Sequence, residues 1–240
     1  MHAVLDWFWQ MSLPQAAGWL FVQNVLLFVV AMAFGHALLW WFADNRVTER
    51  PDPIERNEVL LASGCVLLNT AVTIVGWWLW THGYISVRRD VGWQAWLDVF
   101  ILLIAMDFAM YCFHRVAHVR WLFPLIHLTH HRYDKPRPLN LFVLNPFEVL
   151  GFGTLWLLVL CLYDASWLGI VIYLVLNLAF GTVGHLGVEP LPRAWLRLPI
   201  LRYLGTSTFH AEHHQDARGN YGFYTTIWDR MFGTLDPRYQ

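Results

Sequence analysis

The sequence predicts an all-α integral membrane protein with about four to five transmembrane or re-entrant helices and a histidine-rich helical cap on the cytoplasmic side. Of its 240 residues, 57% are hydrophobic and 14% are charged, against about 25% charged residues in soluble domains. Apolar runs long enough to cross a bilayer recur along the chain. Nine of the twelve histidines lie after residue 113, beyond the first three of these runs.

Two uncharged candidate spans lie in the N-terminal part. Residues 1–17 mix aromatic side chains with few charges, which suits an interfacial segment. No Lys or Arg precedes the first apolar run, so we expect that run to be retained rather than cleaved as a signal peptide. Residues 18–41 have Trp at both ends, as in an aromatic belt, and residues 59–81 form the second span.

Three further apolar runs follow. Residues 93–113 form a third candidate span, interrupted by Asp98 and Asp107, which continues directly into the first histidines. Residues 149–163 are short for a full span, and an acidic residue separates them from residues 165–184. We expect these two runs to pair as a re-entrant or tilted hairpin.

The basic residues predict the orientation. If five crossings start outside, residues 42–57, 114–146 and 185–240 lie on one side and carry all the Lys and Arg except Arg88 and Arg89. The positive-inside rule makes that side cytoplasmic, and every histidine cluster falls on it. We expect one membrane-embedded domain over residues 1–240.

The net charge and the cysteines argue against several other kinds of protein and site. The net charge of −1 gives no indication of nucleic-acid binding. Cys65, Cys112 and Cys161 are scattered through apolar stretches without a Cys-x-x-Cys pair, so neither a disulfide framework nor an iron–sulfur site is indicated.

The histidines form three clusters with helical spacing. The first has the pattern H-x3-H, and the other two have the pattern H-x2-H-H. Positions i, i+3 and i+4 share one face of a helix, and imidazole is a good ligand for iron, zinc and copper. Eight imidazoles exceed the capacity of one ion, so a dinuclear site is predicted. Its ligands are His114, His118, His127, His130, His131, His210, His213 and His214, with His185 as a ninth candidate.

Other polar residues near these clusters have several interpretations. Asp107 could accept an imidazole N–H, join a buried polar network or pair with Arg115. Glu189 could be a ligand, a supporting residue or plain surface. Isolated His2, His36 and His82 have no spaced companion, and we leave them outside the site.

The predicted ligands are all histidines, which limits the kinds of metal enzyme that the sequence could encode. The paired E-x-x-H pattern of carboxylate di-iron bundles and the H-E-x-x-H pattern of zinc proteases are both missing. An all-nitrogen site suits a centre that binds and reduces dioxygen. A membrane zinc hydrolase that uses the same histidines is the alternative, and a bis-histidine haem protein is a weaker one.

The motifs HRVAH, HLTHH and HAEHH, followed by GNYGFYTTIWDRMFGTLDP, resemble the fatty acid hydroxylase/sterol desaturase superfamily, and its bacterial sterol-desaturase-like branch in particular. The resemblance covers about residues 98–240, while residues 1–97 agree only as membrane spans. It implies a non-haem di-iron oxygenase with the nine histidines as ligands, His185 included. Zinc could replace the two iron ions in purified protein.

The resemblance also implies substrate, partners and location. A lipid or sterol-like molecule would enter from the bilayer and be hydroxylated or desaturated with dioxygen. Electrons would come from a separate ferredoxin or small haem protein, for which Arg115, Arg120, Arg132, Lys135 and Arg137 could form a docking surface. Asn220 could hold a water ligand, and the segment WDRMFGT would pack beneath the site. The bacterial inner membrane, with the site facing the cytoplasm, is the expected location.

Overall fold

The computed structural model describes residues 2–192, 194–195 and 198–239, apart from the side chain of His2. Within these residues the protein is almost entirely helical, with one pair of two-residue strands. The α-helices are α1 His2–Trp9, α2 Leu13–Trp41, α3 Arg56–Thr81, α4 Trp93–Ala117, α5 Phe123–Ile126, α6 Leu128–His131, α7 Pro146–Leu162, α8 Trp167–Gly184, α9 Ser207–Gln215 and α10 Ile227–Phe232. The strands are β1 Val87–Arg88 and β2 Ala165–Ser166, and 3-10 helices cover Pro138–Phe142 and Leu201–Tyr203.

Four helices are long and apolar enough to cross a membrane, namely α2, α3, α4 and α8. Only 17% of the most apolar stretch of α2, α3 or α8 is buried inside the protein, so their other side chains are available to lipid. Leu26, Val30 and Leu67 are each more than half exposed, which a bilayer tolerates and water does not. The predicted all-α integral membrane fold is confirmed.

Helix α7 is shorter than a typical span, with 17 residues and a length of about 25 Å. It packs against α3 and α4, and it returns to α8 through β2. Strand β2 pairs in parallel with β1, which lies in the α3–α4 connection. The α7–α8 turn therefore lies at the same end of the bundle as the α3–α4 connection, as the predicted hairpin requires.

The end of the bundle that carries β1 and β2 is fastened by Asp98, which is 1% exposed. Its carboxylate accepts hydrogen bonds from the Tyr163 hydroxyl at 2.6 Å and the Ser166 N–H at 2.9 Å. It also pairs with Arg88 at 2.8 Å. This network explains an acid inside an apolar helix, because each of its oxygens has a donor. We call this the β end and the opposite one the histidine end.

At the histidine end, a buried ion pair holds the segment that follows α6. Glu58 in the first turn of α3 is fully buried, and Arg137 donates to both of its oxygens, at 2.6 Å each. Asn140 accepts the Arg137 backbone N–H at 2.9 Å. A bidentate pair of this kind fixes orientation as well as distance, so residues 137–145 are held rigidly against α3.

Candidate metal centre

The structure brings all nine histidines named from the sequence to the histidine end. They come from four places in the chain: the end of α4, the α5–α6 segment, the residue after α8, and α9. Helix α4 ends at Ala117, four residues beyond the predicted span, so His114 lies on its last turn and His118 follows it. The helical spacing of His210, His213 and His214 turns all three rings inward.

The rings divide into two groups. One holds five histidines and the other four, and within each group the ligand nitrogens all lie within 4.8 Å of one another. The five-histidine group consists of His114, His118, His127, His131 and His213, and the four-histidine group consists of His130, His185, His210 and His214. Each H-x2-H-H motif thus contributes to both groups, which the sequence spacing by itself does not reveal.

Short contacts between ring nitrogens define each group. In the five-histidine group, the Nε2 atoms of His114 and His127 are 2.8 Å apart, and His131 Nε2 lies 3.1 Å from His213 Nε2. In the four-histidine group, His185 Nε2 lies 3.2 Å from His130 Nε2 and 3.1 Å from His210 Nε2. The Nε2 atoms therefore converge within each group.

Backbone carbonyls determine which nitrogen carries the hydrogen. His185 Nδ1 lies 2.8 Å from the Gly181 carbonyl, and His130 Nδ1 lies 3.3 Å from the Val143 carbonyl. A carbonyl oxygen can only accept, so each Nδ1 must donate and each Nε2 presents a lone pair. The two lone pairs face each other at 3.2 Å. Neutral rings would repel in this arrangement, and a cation between them removes the conflict, so the residues fit a metal ion.

The five-histidine group shows the same arrangement. His114 Nδ1 lies 2.9 Å from the Tyr221 carbonyl, and His213 Nδ1 lies 2.6 Å from the Gly219 carbonyl. Both rings therefore turn Nε2 toward the centre of the group. Five imidazoles that point their lone pairs inward can hold one divalent ion, and the four of the other group can hold a second.

Burial keeps these imidazoles neutral. It lowers the pKa of His118 to about 3, with a further contribution from nearby His213. It lowers the pKa of His185 and of His213 to about 4. A neutral ring is the form that binds a metal, so the protein prepares its ligands at neutral pH without needing to remove protons.

Asp107 joins a buried polar network, which is one of the interpretations left open by the sequence. Its carboxylate accepts from the Tyr224 N–H at 2.8 Å, from the backbone and hydroxyl of Thr225, and from the Trp228 indole N–H at 3.1 Å. It is 1% exposed. Asp107 therefore fastens the C-terminal segment to α4 rather than orienting an imidazole or pairing with Arg115.

Asn220 and Glu189 also make contacts with backbone groups near the histidines. Asn220 has a left-handed backbone with φ 58°. Its side-chain amide donates to the Phe209 carbonyl at 3.2 Å and accepts from the Asp236 N–H at 2.8 Å. Glu189 accepts from the Thr208 N–H at 3.0 Å and from its hydroxyl, at the beginning of α9. These contacts position α9, and neither residue is among the grouped ligand atoms.

The C-terminal WDRMFGT segment packs beside the site. Asp229 accepts from the backbone N–H groups of Tyr221 and Gly222, both at 2.8 Å. The Phe232 ring stacks on Tyr111 with centroids 5.6 Å apart, and Gly233 ends α10 with φ 67°. Because Asp229 fixes Tyr221, it also fixes the carbonyl that orients His114.

The isolated histidines lie away from the two groups. His36 and His82 are exposed, and the Nδ1 atom of each lies 2.8 Å from the carbonyl four residues earlier. The His2 side chain lies outside the described residues. None of the three is grouped with other ligand atoms in the described part of the chain.

One residue at the site is not identified by the sequence patterns. Glu148 lies in the first turn of α7, is 1% exposed, and places Oε1 2.7 Å from Nδ1 of His127. The sequence places it only at the end of a polar, proline-rich stretch. An acid that begins an otherwise uncharged helix was the available signal, since such a charge needs a partner in the membrane.

The sequence profile of the fatty acid hydroxylase family matches residues 99–234. This stretch is more than half of the chain and contains all nine grouped histidines. The chain belongs to the fatty acid hydroxylase family. No solved structure matches it.

Relatives of this family member include enzymes of sterol and long-chain lipid chemistry. A cholesterol 25-hydroxylase-like protein from Danio rerio is 28% identical over 165 residues, which is 68% of this chain and 65% of the relative. A Delta(7)-sterol-C5(6)-desaturase from Nicotiana tabacum is 27% identical over 259 residues, 95% of this chain and 87% of the relative. A very-long-chain aldehyde decarbonylase from Oryza sativa is 31% identical over 138 residues, 55% of this chain and 22% of the relative.

Proposed function

We propose that this family member is a non-haem di-iron oxygenase that hydroxylates or desaturates a C–H bond of a lipid or sterol-like substrate. The observation that carries the proposal is the division of nine inward-turned histidines into a group of five and a group of four. Two iron ions bound there would supply the capacity to activate dioxygen with external electrons. The names of the sterol hydroxylase-like and desaturase relatives support the substrate class.

The residues of the chain hold the metal ligands in position and shield the site from water. Backbone carbonyls behind His114, His130, His185 and His213 hold the rings, so the ligand atoms need little rearrangement when ions bind. All four members of the four-histidine group are buried, whereas His118 and His131 of the other group are partly exposed. A buried, water-poor site protects a reactive centre from side reactions.

An electron donor would approach the water-facing side of the site. Arg115, Arg120 and Arg132 are exposed, and none has an ion pair among the described residues. Lys135 and Arg137 pair instead with acids of the protein. We propose that the three arginines without an ion pair contribute most to the docking of an acidic ferredoxin or small haem protein.

Lipid analysis tests the activity. Mass spectrometry of host lipids with the gene intact, deleted or restored should reveal a product that disappears on deletion. Complementation with the wild-type gene should restore it, and complementation with His130→Ala should not. Restoration by His130→Ala would contradict the ligand role of His130.

Metal analysis separates the oxygenase from a zinc hydrolase. Protein made under iron-replete conditions should contain two iron ions per chain and consume oxygen when electrons are supplied. Zinc content alone would decide nothing, because zinc displaces iron from nitrogen sites. Hydrolysis with zinc loaded, and no oxygen consumption with iron loaded, would favour the alternative.

The orientation and origin are also part of the proposal. We infer that the histidine end faces the cytoplasm of a bacterial inner membrane, supported by the distribution of Arg and Lys. The three relatives described above come from two plants and an animal, so the bacterial sterol-desaturase-like branch rests on the sequence resemblance. A C-terminal green fluorescent protein fusion should fluoresce and an alkaline phosphatase fusion should be inactive. The reverse result would invert the topology.

A further inference from the structure

Glu148 has an unusual environment among the buried acids of the protein. Its side chain is almost completely buried, and its Oε1 atom is 2.7 Å from His127 Nδ1. His127 Nδ1 and Glu148 Oε2 both have no hydrogen-bond partner among the described residues. The contact is therefore a close carboxyl–imidazole contact rather than a linear hydrogen bond.

The other buried acids are compensated within the chain. Glu58 and Asp98 pair with arginines, while Asp107, Glu189 and Asp229 accept several N–H and O–H donors each. Among the buried acids that the structure describes, Glu148 is the one that contacts an imidazole, and its other partner is the uncharged backbone of Asn145. The favourable field at the start of α7 acts on it too, but burying a carboxylate costs much more than that field returns.

A cation bound to the far nitrogen of His127 would supply the missing countercharge. His127 Nε2 belongs to the five-histidine group, so the charge of Glu148 reaches that group through one ring. In the four-histidine group, His130 and His185 have neutral backbone carbonyls behind them, and His214 Nδ1 has no hydrogen-bond partner. The two groups therefore differ in charge as well as in ligand number.

We propose that Glu148 is a positioning residue that acts through His127 and makes the two metal ions unequal. The ion in the five-histidine group binds more tightly and is oxidised more readily than it would be without this carboxylate. The inference rests on the proposed function, since it requires that the nine histidines hold two ions. It is physically reasonable because a carboxylate behind a ligating imidazole makes the ring a stronger donor.

The primary test uses Co2+ as a probe and the variant Glu148→Gln, which removes the charge and preserves the size of the side chain. Metal-free full-length protein in detergent is titrated with Co2+, followed by its visible bands. We expect one of two binding steps to weaken about 10- to 100-fold, the usual effect of losing such a carboxylate, and the other step to stay unchanged. The unchanged step shows that the variant is folded.

Two further variants make the test specific. In a His185→Ala background the four-histidine group is incomplete, so the remaining Co2+ should be the one that Glu148→Gln weakens. Glu212→Gln is the matched control, because this acid neighbours His213 in sequence but contacts Asn220 and no imidazole. We expect Glu212→Gln to bind both Co2+ ions as the wild-type protein does.

A second measurement separates charge from shape. In iron-loaded protein, Glu148→Gln should raise the one-electron potential of one iron, by about 59 mV for each tenfold loss in preference for the ferric ion. Glu148→Asp, which retains the charge, should return the potential toward the wild-type value. A potential equal to wild type in Glu148→Gln would overturn the proposal.

The outcomes distinguish this inference from the proposed function. If wild-type protein does not bind two ions, the di-iron proposal itself fails. If wild-type protein binds two ions and Glu148→Gln leaves both steps unchanged, only the role of Glu148 is contradicted. Equal weakening of both steps would also contradict it, because the charge would then not act on one group.

Discussion

At the scale of single residues, the metal-binding character of the site depends on the atoms behind the rings. A carbonyl behind Nδ1 forces Nε2 to present its lone pair, as at His114, His185 and His213. The carbonyls belong to Tyr221, Gly181 and Gly219, residues whose side chains have no role in this. The side chain thus supplies the ligand atom, whereas the backbone carbonyl behind the ring fixes the tautomer that can bind a metal.

His185 provides a residue-scale prediction, because it stood alone in the sequence. Its Nε2 lies between those of His130 and His210, so His185→Ala should remove the ion of the four-histidine group. Metal content should fall from two ions to about one per chain, with activity lost. His36→Ala is the control, since that ring is exposed and its Nδ1 bonds to the Met32 carbonyl of its own helix. Two tightly bound ions in His185→Ala would contradict the assignment.

A second prediction concerns the buried pair Arg137–Glu58. Replacing Arg137 by Met leaves the carboxylate of Glu58 buried without a cation, with only the Glu55 N–H at 2.9 Å and a weak contact from Asn140. We expect the free energy of unfolding to fall by about 3–5 kcal/mol, measured by denaturation in detergent.

The double variant Glu58→Leu/Arg137→Met removes both charges, so it should recover much of that loss. If the double variant is as unstable as the sum of the single variants, the two residues are not coupled.

At the scale of elements, the ligands occupy the ends of helices. His118 and His185 directly follow α4 and α8, and His127 lies between α5 and α6. Helix ends carry carbonyls without an intrahelical partner. The ring of His185 uses one of these, that of Gly181 in the last turn of α8. The helices thereby fix the positions of the ligands, and the connections between the helices set the directions in which the rings point.

The contact between α4 and the C-terminal segment gives an element-scale prediction. Asp107→Asn replaces one carboxylate oxygen, which accepts hydrogen bonds, by an NH2 group, which only donates them. The groups that donated to that oxygen therefore lose their acceptor. Stability should fall by about 1–3 kcal/mol, and residues 220–228 should be cut faster by protease. Asp164→Asn is the control, because that side chain is exposed at the β end. Unchanged cleavage in Asp107→Asn would contradict the fastening role.

At the scale of the whole molecule, the bundle separates its two ends by function. The β end joins helices through Asp98 and a two-strand pair, and the histidine end brings together ligands from α4, the α5–α6 segment, the end of α8 and α9. Alternating helix direction explains this separation, because α7 and α8 run in opposite directions and together return the chain from the α5–α6 segment to the same end. The helix directions thus bring histidines that are distant in the chain to one end of the bundle.

The pKa shifts of the histidines predict how acid affects the metal-free protein. The folded pKa values are about 3 for His118 and about 4 for His185 and His213, below the unfolded value of about 6.5. The unfolded chain therefore binds more protons below pH 6.5. Stability should be highest above that pH and should fall as the pH is lowered toward about 4, with a smaller further loss toward about 3.

Thermal unfolding in detergent at a series of pH values measures this effect. His118→Gln should flatten the dependence, and His36→Ala should leave it unchanged. An unfolding midpoint that rises as the pH falls from 7 to 4 would show that the histidines are not buried in the neutral form.

Much of the fold and site follows from sequence-level physics. The apolar runs predicted the spans, because a bilayer permits few other solutions, although α2 begins five residues earlier than expected and α4 ends four residues later. The histidine spacing identified the rings that converge. It did not identify Glu148, because its partner His127 is 21 residues away, in the segment between α5 and α6.

The sequence by itself determined the helical membrane class, the gathering of the histidines at one end of the bundle and the number of rings, since these depend on local hydrophobicity, charge and spacing. Only the tertiary structure decided how the rings divide into five and four, which carbonyl lies behind each ring, and that Asp107 holds the C-terminal segment. Those features depend on contacts between residues far apart in the chain. Their distances and angles arise from packing, which no single stretch of sequence contains.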